Sequence, residues 1–462
     1  MKAEDLPEVI AFLIFFAVSM LVTVTVWHRP AYIVLLVGSC GVVLLGLRHG
    51  FTGPELGRMF VAGALQAVPV VIIVSLIGML TGVWKAGGVI PALMNWSFDF
   101  IRPQGFLLTI FLLTTMVAML LGTATGTFST IGIVLAGVGA VMDIPYPIVV
   151  GAIVSGAFVG DRGSPLSSTV NLIAAMSGCD VRDFLRHLWT TGAPGLVLTA
   201  VFYFVLDQVY SQEALNVTVI ENFRVLIVSH FRLSPWLLLP PALLAVLAVA
   251  RVPAQYNILT VLLGSAAVCG FVQGLTLLDI GSAAVFGYQQ VVGTKEAARF
   301  ISGGGLLPLI PILITLFAAT GFNGLLEGTG ITRLVLAQFL EDVFGPAQLL
   351  KLTVAISAAV LMITSNQAVS IVVPARMLRD KLQDTGASEL ALARAIADSG
   401  GVLAAVVPWS TAALTPALLL GTKVYAFIPY AMFCWLQPLV ELTFLRCGRY
   451  ARTSAAVVNQ TR

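Results

Sequence analysis

Apolar runs of roughly 20 residues recur along this chain from Pro7 to Leu445, and a helix needs about 20 residues to cross about 30 Å of hydrocarbon. Few folds are open to such a chain. The runs are continuous and do not alternate, so the backbone must satisfy itself within helices and not within a barrel. Hydrophobic residues make up 58% of the 462 and charged residues only 10%, with a mean hydropathy of +0.98. That leaves too little polar surface to coat a soluble globule. The sequence predicts an all-α polytopic membrane protein of roughly 11 to 13 spans, some of them discontinuous.

The first run, Pro7 to Trp27, follows Lys2, Glu4 and Asp5 and has no small-residue cleavage site, so it reads as a retained span. The basic tail of Arg446, Arg449, Arg452 and Arg462 suits a cytoplasmic C-terminus. A net charge of +3, scattered along the chain, argues against nucleic acid as a partner. Cys40, Cys179, Cys269, Cys434 and Cys447 lie far apart without CxxC or metal spacing, and read as small core residues. No HExxH, no catalytic GxSxG and no nucleotide loop appears, so an enzyme is disfavoured and no cofactor is expected.

No long hydrophilic segment interrupts the spans, which makes residues 1–462 a single membrane domain. The stretch from Asp207 to Ser234 is the most polar and reads as an outward-facing or surface-lying segment. Met377 to Ala397 mixes basic, acidic and apolar residues at helical spacing, as suits a helix along the cytoplasmic interface. Two polar-centred spans stand out: GTATGTFSTIG, Gly122 to Gly132, and TSNQAVS, Thr364 to Ser370. Each is followed by an aspartate with glycines and hydroxyls, in GDRGSPLSSTVNL (Gly160 to Leu172) and ADSGGVLAAVVPWSTAALTP (Ala397 to Pro416). This order predicts two inverted repeats, at about 59–206 and about 302–445, whose discontinuous helices meet within the membrane.

Between Asp143 and Asp180 the only charges are Asp161 and Arg162, with 17 residues on either side of the pair. DRGSP would serve as a surface turn, since Gly163 and Pro165 are good turn residues. The following segment favours a buried site instead, because Ser164, Ser167, Ser168, Thr169 and Asn171 make a poor lipid-facing helix and a good set of oxygen donors. A buried aspartate needs a partner or a task. Arg162 would be the partner in a structural pair, and a hard cation such as Na⁺ would be the task. An anionic substrate would instead rest on half-helix N-termini with Arg162 as counter-charge.

Other candidates carry a competing structural role. Asp398 follows Arg394 by four residues and would form either an interfacial i,i+4 ion pair or, with Ser399 and the next two glycines, part of a cavity. Thr123, Thr125, Thr127, Ser129 and Thr130 would line a site or permit close helix packing. Thr364, Ser365, Asn366 and Gln367 are harder to assign to packing, since amides within a span need hydrogen-bond partners. His187 reads as an interfacial residue, and Pro408 with Trp409 as a kink and its packing partner. Tyr288, Gln289 and Gln290 would line a path or satisfy one another, and Gly303 to Gly305 would form a hinge or a turn.

Several of these motifs, in this order, resemble the NhaC-type sodium/proton antiporters of the larger ion-transporter superfamily. They are SLIGMLTGVWKAGGVIP, GTATGTFSTIG, GAIVSGAFVGDRGSPLSSTVNL and HLWTTGAP, then SNQAVSIVVPARML and ADSGGVLAAVVPWS. The resemblance spans about residues 60 to 430 and implies a dimeric inverted-repeat transporter of the bacterial inner membrane, working by alternating access. It implies Na⁺/H⁺ exchange with Asp161 as the shared carboxylate and Asp398 as its second-half counterpart. Asp161, Asn171 and Asn366 would hold Na⁺, with Ser167, Ser168 and Thr169 adding neutral oxygens. The chain departs from the family pattern at Ser168, where the family carries an aspartate, at Val170, where it carries a threonine, and near Asn366, where it tends to carry an acid. Fewer titratable groups also suit the alternative that the family offers, ion-coupled transport of a small organic acid or amino acid.

Overall fold

The molecule is seen in a computed structural model that describes residues 5–27, 29–97, 105–141, 144–210, 217–250, 252–289, 302–337 and 345–446. Lys2, Glu4, Gln290, Cys447, Arg449, Arg452 and Arg462 lie outside the described residues. The described chain is helical; the isolated bridge between Tyr288 and Gly303 is the sole β pairing among the described residues. The first half holds α1 (Leu6–Leu21), α2 (Tyr32–Arg48), α3 (Gly53–Leu65), α4 (Val68–Ala86), α5 (Val89–Ser97), α6 (Phe106–Leu121), α7 (Ala124–Thr127), α8 (Ile133–Val141), α9 (Tyr146–Gly163), α10 (Ser168–Ser177) and α11 (Val181–Tyr210). A middle section follows with α12 (Val217–His230), α13 (Leu239–Val249), α14 (Ala254–Gln273) and α15 (Leu277–Phe286). The second half holds α16 (Ile310–Gly328), α17 (Ile331–Ala337), α18 (Pro346–Thr364), α19 (Gln367–Arg379), α20 (Leu382–Thr385), α21 (Glu389–Ile396), α22 (Thr411–Leu419), α23 (Val424–Phe427) and α24 (Met432–Arg446).

Among the described residues six helices are long and apolar enough to cross a membrane alone, and up to eight crossings result if two sharply bent pairs each count as one. That is fewer than the 11 to 13 expected. The difference arises because the polar breaks divide the apolar runs into shorter helices of 10–17 residues, such as α6 and α10. One bent pair joins the end of α12, within the stretch expected to lie outside or on the surface, to Pro235–Leu247 just beyond it, at 105°. Asp207, which opens that stretch, is buried: its carboxylate accepts from the Leu107 and Leu108 amides at 2.8 and 2.9 Å and caps α6. A negative charge at the orphan amides of a helix N-terminus is favourable, which explains why an acid so close to a polar loop turns inward.

Small residues set the close crossings. A Cβ on Gly63 of α3 would lie 2.4 Å from the Thr320 carbonyl oxygen and 2.7 Å from the Gly324 Cα of α16, so the two backbones touch. Gly303, Gly304 and Gly305 form a turn and not a hinge between packed bodies: all three have positive φ, and the Gly305 amide donates to the Gly78 carbonyl of α4 at 2.7 Å. Tyr288 belongs to the same turn through two backbone bonds with Gly303. Cys269 and Cys434 are buried as expected, whereas Cys40 is exposed. The expected interfacial helix at 377–397 divides: α19 ends at Arg379, and α21 is interior, with Ala391 to Ile396 all buried. An apolar core of Val170, Ile173, Phe184, Leu188, Ile356, Ile371 and Ile396 joins α10, α11, α18, α19 and α21, and it holds the helix breaks in place.

Candidate functional site: a buried carboxylate at crossed helix breaks

Three breaks converge. α6 ends at Gly122 with φ 67°, Thr123 is extended, and α7 begins at Ala124. A Cβ on Gly122 would lie 2.6 Å from the Leu166 carbonyl carbon, so this break rests on the second one, between α9 and α10. Ser164 ties them by donating to the Met119 carbonyl at 2.7 Å. Ser167 donates to the Asp161 carbonyl at 2.5 Å and caps α10 by accepting from the Thr169 and Val170 amides. In the second half α18 ends at Ser365 with φ 59°, the sole non-glycine with positive φ among the described residues. Asn366 is then extended and caps α19 through its Oδ1, which accepts from the Ala368 amide at 2.9 Å.

Asp161 sits in the last turn of α9, only 7% exposed. Its Oδ2 accepts from Thr169 Oγ1 at 3.0 Å and from Gln367 Nε2 at 3.4 Å, and the Ala124 amide donates to the same carboxylate. Gln367 also donates to the Gly401 carbonyl at 2.6 Å. The acid is therefore enclosed by α7, α10, α19 and the Ala397–Gly401 turn, drawn from both halves. Among the described residues no cationic side chain pairs with it.

Arg162 is not its partner. The guanidinium points to the other side of α9 and forms a buried ion pair with Asp398, Nε lying 2.5 Å from Oδ1. It also donates to the Leu188 carbonyl at 3.0 Å and Thr191 Oγ1 at 2.9 Å. Thr191 donates in turn to Asp398 Oδ2 at 2.6 Å, and Gln437 Nε2 donates to Oδ1 at 3.1 Å. Consecutive helical residues diverge by about 100°, so Asp161 and Arg162 cannot face the same neighbour.

Nor does Asp398 pair with Arg394. Arg394 grips Glu441 of α24 with two bonds, at 2.9 and 3.1 Å, and its Nη1 donates to His187 Nε2 at 2.9 Å. Two polar layers one turn apart result, because three elements each supply residues four apart: His187 and Thr191 from α11, Arg394 and Asp398 from α21 and the turn after it, Gln437 and Glu441 from α24. His187 thus belongs to this interior network and not simply to an interface. Sequence reasoning missed Glu441, Gln437 and Thr191. A signal was present, since an acid four residues after a glutamine in an apolar helix repeats the Arg394/Asp398 spacing.

The remaining hydroxyls divide by role. Thr127, Ser129, Thr364 and Ser399 donate to carbonyls four residues earlier, at 2.6–2.9 Å, the Ser129 acceptor being Thr125. These bonds satisfy the hydroxyls within their own helices. Ser168 and Asn171 lie on the exposed side of α10, and the Asn171 amide donates to the Ser167 carbonyl at 2.7 Å. Neither Asn171 nor Asn366 is hydrogen-bonded to Asp161, because both amides are committed to helix ends. Trp409 packs in the core and donates to the Met362 carbonyl at 3.0 Å, and Pro408 belongs to a non-helical break before α22, not to a kinked helix. No cluster of three or more His, Cys, Asp or Glu suited to a metal occurs among the described residues.

Membrane-length apolar helices, interrupted so that broken ends from two halves enclose one unpaired carboxylate, define a multi-pass membrane protein of the secondary-transporter class. The family can be given more narrowly. A sequence model of the Na⁺/H⁺ antiporter family matches residues 6–206 and 159–449, and the chain belongs to that family. It is 27% identical over 95% of its length to a malate-2H⁺/Na⁺-lactate antiporter of Bacillus subtilis, covering 93% of that protein. It is 26% identical to the Na⁺/H⁺ antiporter NhaC of the same organism, covering 96% of this chain and 98% of that one. An arginine/ornithine antiporter of Halobacterium salinarum is 27% identical over 85% of this chain and 81% of its own.

Proposed function

We propose that this protein exchanges Na⁺ for H⁺ across a bacterial inner membrane by alternating access, with Asp161 as the carboxylate that holds either ion. One observation carries the reading: Asp161 is a buried acid without a cationic partner among the described residues, whereas Arg162 with Asp398 and Arg394 with Glu441 neutralise each other. An ionised carboxylate in such a place needs a proton or a metal cation. Thr169 Oγ1 supplies a hard oxygen beside it, and turning the Gln367 amide would present Oε1. Asp398 is then a structural counter-charge and not a second carrier.

The halves at about 59–206 and 302–445 act as inverted repeats in this reading. The breaks at Gly122–Thr123 and Ser365–Asn366 share a left-handed residue followed by an extended one. Gly88 before α5 and Gly330 before α17 match in the same way, with φ 76° and 78°. Rocking one repeat against the other in a homodimer would expose Asp161 to each side in turn. The two relatives named for organic solutes raise a carboxylate cargo as a second reading. Arg162 is committed to Asp398, so that cargo would need another cation.

The test is Na⁺-induced proton movement in vesicles carrying the purified protein. Wild type should release protons on the side where Na⁺ is added, and Asp161→Asn should not. A wild type without response, or an undiminished Asp161→Asn, overturns the reading.

A further inference from the structure

A largely apolar cavity carrying two lysines lies away from Asp161. It has a volume of about 690 Å³ and is lined by Lys85, Lys423, Ile90, Met94, Tyr146 and Leu418. Tyr146 opens α9 and Asp161 is 15 residues further on, so the two sites are separated by roughly 22 Å of helix. Lys85 closes α4 and donates to the Ser302 carbonyl at 2.6 Å. An ammonium has three donors, and among the described residues no carboxylate pairs with Lys85. Lys423 adds a second positive charge at the rim, exposed and near the Tyr425 ring.

Two lysines that pair with no carboxylate among the described residues repel a cation and draw an anion. The cavity is far larger than a hydrated Na⁺ requires and falls within the range of small-molecule sites. Its walls are largely apolar, which disfavours a bare inorganic ion and suits a short carbon chain bearing a carboxylate. We propose that this cavity binds a small organic carboxylate, with Lys85 as its half-buried counter-charge and Lys423 as the rim contact. The inference is independent of ion exchange at Asp161, and either can fail without the other.

Binding is read by thermal unfolding of the full-length protein in detergent, titrated with sodium malate, sodium lactate or sodium phosphate against sodium chloride at matched Na⁺ and ionic strength. Malate or lactate should stabilise the protein beyond chloride and phosphate. Lys85→Gln should weaken that binding by about tenfold or more, as expected for loss of a charge-assisted bond, and Lys423→Gln should weaken it less. Asp161→Asn should leave it intact. The proposal is overturned if neither carboxylate exceeds chloride, if phosphate stabilises equally, if Lys85→Gln binds as wild type does, or if Asp161→Asn abolishes binding. Should Lys85→Gln fail to fold, retention of full affinity in Lys423→Gln together with its loss in Asp161→Asn overturns it equally.

Discussion

Arg162 binds Asp398, 236 residues away, and turns its back on Asp161 beside it in the chain. This contact helps to tie the first half to the second and leaves Asp161 without a counter-ion among the described residues. Removing one member of a buried pair strands the other, at a cost of about 3–5 kcal/mol. Arg162→Gln and Asp398→Asn should each lower thermal stability in detergent severely, and the double variant should recover much of the loss. Additive losses in the double variant would show that the pair is not coupled.

Glu441 should matter as much as either of these residues, although it lies near the end of the described chain. Glu441→Gln removes the carboxylate charge that Arg394 grips with two bonds in the interior, and the yield of monodisperse protein on size exclusion should fall sharply. His187→Ala removes a neutral partner's bond to the same guanidinium, so a loss of about 1–3 kcal/mol is expected. A His187→Ala protein less stable than Glu441→Gln would contradict this ranking.

Thr169→Ala and Gln367→Ala delete the side-chain donors to Asp161 and leave its carboxylate in place. Bonds to charged groups are worth roughly 1.5–3 kcal/mol, or tenfold and more in affinity. In vesicles both variants should shift the Na⁺ dependence of exchange to about tenfold higher concentration while maximal rate changes less. Unchanged Na⁺ dependence in both would detach these residues from the ion.

Ser365 holds a left-handed backbone, and its buried hydroxyl has no hydrogen-bond partner among the described residues. Ordinary residues strain in that conformation by about 1–3 kcal/mol, so Ser365→Gly should stabilise the protein. Strain retained at a helix break beside Gln367 argues for a use in transport. The expected outcome is higher thermal stability together with weaker Na⁺ activation, and stabilisation with unchanged activation would deny the hydroxyl a role.

Gly63 touches the backbone of α16 at Thr320 and Gly324. Gly63→Val forces these helices apart, and overpacking of this kind destabilises by about 1–3 kcal/mol or more. Unfolding temperature should fall, whereas Gly57→Val on the same helix, with open space around it, should change it little.

The membrane class, the helical backbone and the position of the breaks were all written locally. Apolar length demands helices in lipid, and Gly122, Ser164 to Ser167 and Ser365 to Asn366 mark where those helices stop. Asp161 was legible for the same reason, as a charge with no local excuse for its place. Partnership was not legible. Which arginine meets which acid depends on the faces that packed helices turn toward one another, and burial makes each such choice decisive because an unmatched charge cannot be left to water. Only the folded chain could therefore send Arg162 to Asp398 and Arg394 to Glu441, confine Asn171 and Asn366 to helix ends, and bring Lys85 and Lys423 to one cavity.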